Sequence, residues 1–321
     1  MSQTLTLPLP RAALTLHVPA EAIGLVAGLA AATIWGATLA MTRLGVADAA
    51  TSLGPHDLVL LRFIGPAALL LPVVLRVLPR LCRADLPHLL VLFAGGGAPF
   101  VLLAGAGMQE ASAADAGALL PGSMPLWVAA VSLLAGQRGL AAFSACQRLG
   151  FALMALAVAL VAGPALLEGT GWRGPALLIA ASWLAALYTL ALRRAGLTAL
   201  EATALVSLGS VLGFAPLYLL AMEPGIGGAA WAEIALHTVW QGGLSGLLAP
   251  MAFAVAVAKL GAARAAAFGA LSPATAALFG LVLLGEMPEP IVAAGLVAAG
   301  LGVALATREA RQPQGPRKVR S

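Results

Sequence analysis

The stretch AAAFGALSPATAALFGLVLLGE, residues 265–286, decides the fold. It consists mainly of Ala, Leu, Gly and Phe, carries one proline in its middle and one acid at its end, and contains neither Lys nor Arg. About 20 residues of this character are the length of a membrane-spanning helix. A weaker copy, ADAGALLPGSMPLWVAAVSLLAGQ, occupies residues 114–137. The pair predicts a duplicated bundle of membrane helices.

Composition agrees with a protein that lies in a bilayer. The chain is 61% hydrophobic and 10% charged, with a mean hydropathy of +0.97. Soluble domains carry about 25% charged residues, so lipid must cover the excess apolar surface. We therefore expect an all-α polytopic membrane protein. The net charge of +5 comes from basic residues placed singly between apolar runs, so nucleic acid is not an expected partner.

The sequence contains ten apolar runs bounded by charges, prolines or glycine clusters. Nine membrane spans is the main alternative to ten. The predicted spans are residues 22–42, 56–78, 87–109, 112–134, 146–166, 174–192, 199–221, 234–258, 263–285 and 289–307.

Basic residues predict the orientation of these spans. With ten spans, both tails and the connections after even-numbered spans share one side, which holds 15 of the 18 basic residues. The other side holds Arg43 and Arg173, and Arg62 lies within a span. By the positive-inside rule, both termini are expected in the cytoplasm.

The duplication can then be given a direction. Residues 1–21 are interpreted as an N-terminal cytoplasmic tail, residues 22–166 and 174–307 as two five-helix repeats, and residues 308–321 as a basic cytoplasmic tail. Because five crossings end on the opposite side, the second repeat is inverted relative to the first. Inverted repeats place a binding site near the membrane midplane, between the two units.

Four motifs also resemble a known family. They are IWG (34–36), LLRFIGPAALLL (60–71), Met124-Pro125 and LSPATAALFGLVLLGE (271–286). In this order and spacing, the chain resembles the EamA family of the drug/metabolite transporter superfamily over residues 22–307. The resemblance implies ten helices in two inverted repeats, a central cavity and transport of small metabolites, often outward.

The chain departs from that family at two repeat-signature positions. Where the family closes the fourth span with an acid, this sequence has Gln137, whereas the second-half counterpart Glu286 is kept. Pro273 matches the family's mid-helix proline, but its first-half equivalent is shifted by one residue, to Pro125. These differences leave open whether the halves work symmetrically.

Arg62 is the most informative single residue. It lies about six residues into the second span, where a charge costs at least a few kcal/mol and needs a partner or water. Two interpretations remain open: Arg62 binds a substrate carboxylate or phosphate, or it snorkels and ties helices together. Glu110 and Asp115 are its expected internal partners.

Asp115 is the candidate for proton coupling, since a buried carboxylate can bind and release a proton. The alternative is that the dipole at a helix N-terminus stabilises this acid without any function. Glu286, next to Pro288, is interpreted chiefly as a boundary residue of an outer loop.

Other polar, aromatic and proline residues complete the predicted substrate path. Prolines inside membrane helices free backbone carbonyls, which need a partner or a wet cavity. For the aromatic residues, the alternative is interfacial or lipid-facing packing. The additional substrate-binding candidates are Trp35, Gln109, Trp183, Tyr188 and Gln241, and the helix-break candidates are Pro121, Pro125, Pro250 and Pro273.

These observations favour a secondary transporter, with export expected, of small polar or amphipathic metabolites such as amino acids. A membrane-embedded enzyme of lipid metabolism and a non-transporting receptor or assembly subunit are the alternatives. The sequence contains no Walker motif and no histidines at metal-ligand spacing, so neither a cofactor nor a metal is expected. The expected partners are the bilayer (a bacterial inner membrane), a small-molecule substrate and, in a homodimer, a second copy of the chain.

Overall fold

The computed structural model describes residues 19–47, 53–136, 139–169 and 171–308. Every regular element within these ranges is helical, which confirms the all-α class. The helices are α1 Ala20–Val46, α2 Pro55–Leu69, α3 Leu71–Val77, α4 Leu86–Gly96, α5 Ala98–Glu110, α6 Ala113–Leu119, α7 Met124–Leu134, α8 Ala145–Glu168, α9 Arg173–Ala195, α10 Ala199–Ala221, α11 Trp231–His237, a π-helix Thr238–Leu248, α12 Ala249–Leu260, α13 Ala262–Ala267, α14 Ser272–Leu284 and α15 Pro290–Ala306.

Among the described residues, eight helical segments are long and apolar enough to cross a membrane. A ninth crossing results if α2 and the segment Leu71–Arg80, bent by 68° from each other, form one span. The last predicted span falls on α15, an apolar helix of only 17 residues. All ten predicted runs are therefore helical, and ten membrane crossings stay a prediction.

Local sequence explains where several helices begin and end. Ser112 caps α6, since its hydroxyl accepts from the Asp115 N–H (3.1 Å) while the Asp115 carboxylate accepts from the Ser112 N–H (2.9 Å). The same reciprocal pattern starts α8 and α10. At the other end of α14, Gly285 takes a left-handed conformation (φ 68°), which glycine adopts without strain.

The fourth and ninth predicted spans are broken in different ways. The fourth divides into α6 and α7, with a turn at residues 120–123. The ninth divides into α13, a short 3₁₀ turn at Phe268–Leu271, and α14. Pro125 and Pro273 occupy the first turns of α7 and α14, where the missing N–H has no helical partner to lose.

Helices from the two halves of the chain pack against each other throughout. Helix α1 contacts α12 and α14, α9 contacts α4, α5 and α7, α2 contacts α10, and α8 contacts α15. Small residues allow α6 and α14 to cross closely. A methyl group at Gly117 would lie 2.9 Å from the Ala276 Cβ, and one at Gly280 would lie 3.0 Å from the Ala113 Cβ.

Two predicted features lie outside the described residues. One is the repeat-signature position Gln137, and the other comprises residues 1–18 and 309–321 of the two predicted tails.

Candidate functional site

Arg62 binds two neutral side chains from the other half of the chain. Its Nη1 donates to the Gln241 amide oxygen at 3.0 Å and to the Ser245 hydroxyl at 3.1 Å. Gln241 and Ser245 are each 1% exposed and lie one turn apart on the π-helix. The guanidinium is therefore held at the contact between α2 and the π-helix.

Glycine explains why these helices approach so closely. A methyl group at Gly242 would lie 3.1 Å from the Leu61 carbonyl oxygen and 3.3 Å from that of Arg62, and Gly246 faces the Pro66 ring. Gly242 and Gly246 therefore form the face of the π-helix that packs on α2. Pro250 follows directly in the first turn of α12. It has no N–H, and its ring crowds the carbonyl of the preceding turn, a local cause for the widened π geometry.

A chain of hydrogen bonds connects the Arg62 site to α1. The Gln241 amide donates to the Thr42 hydroxyl (2.9 Å), and the Trp240 indole N–H donates to the Thr38 hydroxyl (3.2 Å). Thr42 and Thr38 lie one turn apart and in turn donate to carbonyls of α1. Three elements, α1, α2 and the π-helix, therefore share one polar cluster inside an apolar bundle.

The prediction that Glu110 or Asp115 binds Arg62 is wrong. Glu110 lies 3.8 Å from Arg173 at its closest approach, and the Asp115 carboxylate is occupied by the helix cap of Ser112. Across the described ranges, no carboxylate oxygen lies within 4.0 Å of the Arg62 guanidinium. Arg62 is thus a cation within an apolar helix, and its hydrogen-bond partners among the described residues are uncharged. Such a charge is costly in an apolar environment.

Arg43 makes a second contact between the halves, of a different kind. Its Nε donates to the Glu286 carboxylate at 2.8 Å, and its Nη1 donates to the Met108 and Gln109 carbonyls at 2.6 and 2.9 Å. The other Glu286 oxygen accepts from the Ala113 N–H at 2.9 Å. One ion pair thus joins the end of α1, the α5–α6 junction and the end of α14. The boundary residue Glu286 is a point of attachment between the halves.

Two further predicted residues lie near this ion pair and away from Arg62. Asp115 lies in the first turn of α6, two residues after Ala113. Gln109 is exposed, and its side chain lines an open groove of about 580 Å³ with Pro55, His56 and Glu223 among its other lining residues. Proximity to Arg62 therefore supports neither of them as its substrate-binding partner.

The carbonyls freed around Pro121 have partners inside the protein. Ser123 donates to the Leu119 carbonyl (2.5 Å), and Ser182 on α9 donates to the Leu120 carbonyl (2.9 Å). The two hydroxyls lie 3.2 Å apart, and the Trp127 indole N–H donates to Ser123 at 2.8 Å. This broken helix is hydrogen-bonded to the other half of the chain.

The aromatic candidates fall into separate places. Trp35 packs on Phe253 (ring centroids 5.5 Å apart), one turn of α1 before Thr38. Trp183 packs on Trp127 (5.3 Å) beside the serine pair. Tyr188 lies on the glycine-rich end of α4, where its ring faces Gly96. Only Trp35 thus adjoins the polar cluster of Arg62 and Gln241. Pro250 lines a second, apolar groove of about 190 Å³ beside α10.

Sequence reasoning missed several polar residues that the structure brings together. Thr38 and Thr42 on α1 follow an i, i+4 spacing that marks a common helix face, and Ser245 follows the predicted Gln241 at the same spacing on the π-helix. Asp57, which is 0% exposed, accepts from the Tyr218 hydroxyl (2.5 Å) and from the Gly54 and Gly225 N–H groups. Small hydroxyl residues spaced one turn apart in apolar runs would have pointed to the first group.

The fold and these contacts define an integral membrane protein built from apolar helices. The model of the EamA-like transporter family matches residues 172–308. The resemblance to the EamA family is thereby confirmed over these residues.

Similarity to solved structures concerns the fold alone. A structure titled only as the crystal structure of a protein has a TM-score of 0.54 and 21% sequence identity, and the similarity covers 89% of this chain and 96% of that one. No curated protein matches the chain.

Proposed function

We propose that the protein is a secondary transporter that exports small metabolites carrying a carboxylate, such as amino acids, by alternating access. Arg62 binds the carboxylate, and Gln241 and Ser245 orient the guanidinium. The observation that carries this proposal is that Arg62 has neutral hydrogen-bond partners and, among the described residues, no carboxylate within 4.0 Å.

Electrostatics supports a bound anion at Arg62. Hydrogen bonds from a charged donor contribute about 1.5–3 kcal/mol each, but neutral acceptors leave the charge of an arginine within a span without a counterion. A guanidinium presents five N–H donors in a fixed fork, and all of the hydrogen bonds observed in the described ranges start from Nη1. The remaining donors suit a two-oxygen acceptor such as a carboxylate.

The packing order of the helices supports two inverted five-helix repeats, residues 22–166 and 174–307, within a ten-helix bundle. If the two halves are exchanged, α1 takes the place of α9. The contacts that α1 makes with α12 and α14 then correspond to the contacts that α9 makes with α4, α5 and α7. The pairs α2–α10 and α8–α15 map onto themselves. Such a pseudo-twofold relation suits rocking of one unit against the other. Both termini are then cytoplasmic, in a bacterial inner membrane.

Flux into proteoliposomes tests the proposal. The purified chain is reconstituted and offered a panel of radiolabelled amino acids, with and without a pH gradient. We expect saturable flux of at least one carboxylate-bearing compound. Absence of flux for the whole panel, together with chemical turnover of a lipid in the same vesicles, would favour a membrane enzyme instead. A screen for the metabolite that accumulates in cells lacking the protein identifies the substrate.

A further inference from the structure

Two buried polar atoms one turn apart on α11 have no hydrogen-bond partner among the residues that the structure describes. They are the His237 Nδ1 and a Glu233 carboxylate oxygen, Oε1. His237 is 1% exposed. Because nearly all buried polar atoms in folded proteins are hydrogen-bonded, two such atoms at i and i+4 on one helix need an explanation.

The ring of His237 lies close to α1. A methyl group at Gly45 would lie 2.8 Å from the His237 Cε1 and 3.0 Å from its Nε2, so the ring occupies the space that this glycine leaves open. His237 is the last residue of α11, and the π-helix that carries Gln241 and Ser245 starts at the next residue.

On the described neighbouring elements, the charged groups are engaged elsewhere or exposed. On α1, Arg43 is paired with Glu286. On α2, Asp57 binds Tyr218 while the His56 ring contacts the Glu223 carbonyl, and Arg62 binds the π-helix. The π-helix has no titratable side chain, and Lys259 is exposed near the far end of α12. Glu233 is therefore the acid one helical turn from His237 on the same helix.

We propose that Glu233 and His237 form a proton-binding site. With the ring proton on Nε2, the His237 Nδ1 and the Glu233 carboxylate are both acceptors. One proton taken from water by Nδ1 produces an imidazolium that donates to the Glu233 Oε1, and both orphan atoms are then satisfied. No other group changes its charge.

Protonation at this site acts on the start of the π-helix. Drawing the His237 ring toward Glu233 moves it off Gly45, and Gln241, one turn further on, holds Arg62. Proton uptake is thereby linked to the geometry around the guanidinium. This link to transport rests on the function proposed above, whereas the proton site itself does not.

Histidine-selective ¹⁵N NMR of the full-length protein in nanodiscs tests the proton site. The His237 signal, assigned by its loss in His237→Gln, is expected to change from neutral to imidazolium between about pH 4 and pH 8, the range around the ordinary imidazole value. In Glu233→Gln, its proton affinity is expected to fall about tenfold, because the carboxylate that stabilises the imidazolium is gone. The matched controls are Glu168→Gln, an exposed acid, and the His88 signal.

A change of less than about threefold in Glu233→Gln, or no protonation of His237 across the range, overturns the proton site. Flux measured in proteoliposomes separates this result from the proposed function. We expect His237→Gln to retain amino-acid flux but to lose its dependence on the pH gradient. If His237 is protonated in the NMR experiment and its proton affinity depends on Glu233, but the native protein shows no flux, the proposed transport function is rejected and the proton site is retained.

Discussion

Arg43 and Arg62 both reach from the first half of the chain to the second, but their surroundings differ. Arg43 binds a carboxylate and two carbonyls, and its partner Glu286 is also held by a backbone N–H. Arg62 binds one amide oxygen and one hydroxyl. The first cation is neutralised by the protein, which suits a fixed attachment. Arg62 has hydrogen bonds to neutral groups but no carboxylate among the described residues that neutralises its charge, which suits an exchangeable anion.

The largest expected effect comes from removing the unneutralised cation. We expect Arg62→Ala to reduce amino-acid flux in proteoliposomes about 10- to 100-fold, the loss of one charge-assisted interaction of about 1.5–3 kcal/mol. Membrane insertion should be unchanged. Arg43→Ala is the matched comparison, and its flux per folded molecule should stay within about threefold of the native protein. Normal flux in Arg62→Ala would mean that this arginine is only structural.

The ion pair of Arg43 should instead affect stability. We expect Glu286→Ala to lower the free energy of unfolding by about 2–3 kcal/mol, because it leaves Arg43 unpaired and the Ala113 N–H without its acceptor. Unfolding in mixed micelles measures this change. The control is Glu21→Ala, whose pair with Arg264 is about 60% exposed on both sides and should contribute about 0.5 kcal/mol or less. Equal effects in the two variants would contradict the assignment of Glu286 as an attachment point.

Close packing of α1 on α14 gives a third prediction. A methyl group at Gly36 would overlap the Thr275 hydroxyl and approach the Ser272 carbonyl oxygen to 2.8 Å. Gly36→Ala should therefore destabilise the protein by about 2 kcal/mol through overpacking. Gly65→Ala, with no atom within 4 Å of the added methyl, is the control and should be neutral or slightly stabilising. A tolerated Gly36→Ala would show that α1 and α14 do not pack this closely.

The smallest expected effect concerns the broken fourth span. Ser182→Ala removes the hydroxyl that donates to the Leu120 carbonyl and should cost about 1 kcal/mol. Ser132→Ala, whose hydroxyl bonds only within its own helix, is the matched control. If Ser182→Ala lowers the flux per folded molecule while Ser132→Ala does not, the break in the fourth span lies on the substrate path.

The contrast between the two arginines also shows what the sequence can predict. Apolar runs located the eight helical segments of the described residues that are long enough to cross a membrane, because lipid requires such runs whatever their neighbours are. A packing face of small residues, such as Gly242 and Gly246, can likewise be read from one segment at a time. The pairing of Arg43 with Glu286, which are 243 residues apart, could not, because it depends on how two separate helices meet.

The prediction of acidic partners for Arg62 was wrong for a physical reason. Charge complementarity favoured Glu110 and Asp115, but helix rotation decides which side chains meet, and the cap at Ser112 already holds Asp115. The π-helix changes the rotation of Gln241 and Ser245 relative to an α-helical pattern. A periodicity of 3.6 residues therefore could not place them opposite Arg62.

Comparing a substrate with an analogue that lacks its carboxylate tests the central claim most directly. Equilibrium binding of the transported amino acid and of its decarboxylated amine is measured for the native protein and for Arg62→Gln. We expect the native protein to prefer the amino acid by about 10-fold or more, the contribution of a charge-assisted hydrogen bond, and Arg62→Gln to lose this preference. Equal binding of both compounds to the native protein, or an undiminished preference in Arg62→Gln, would contradict the account.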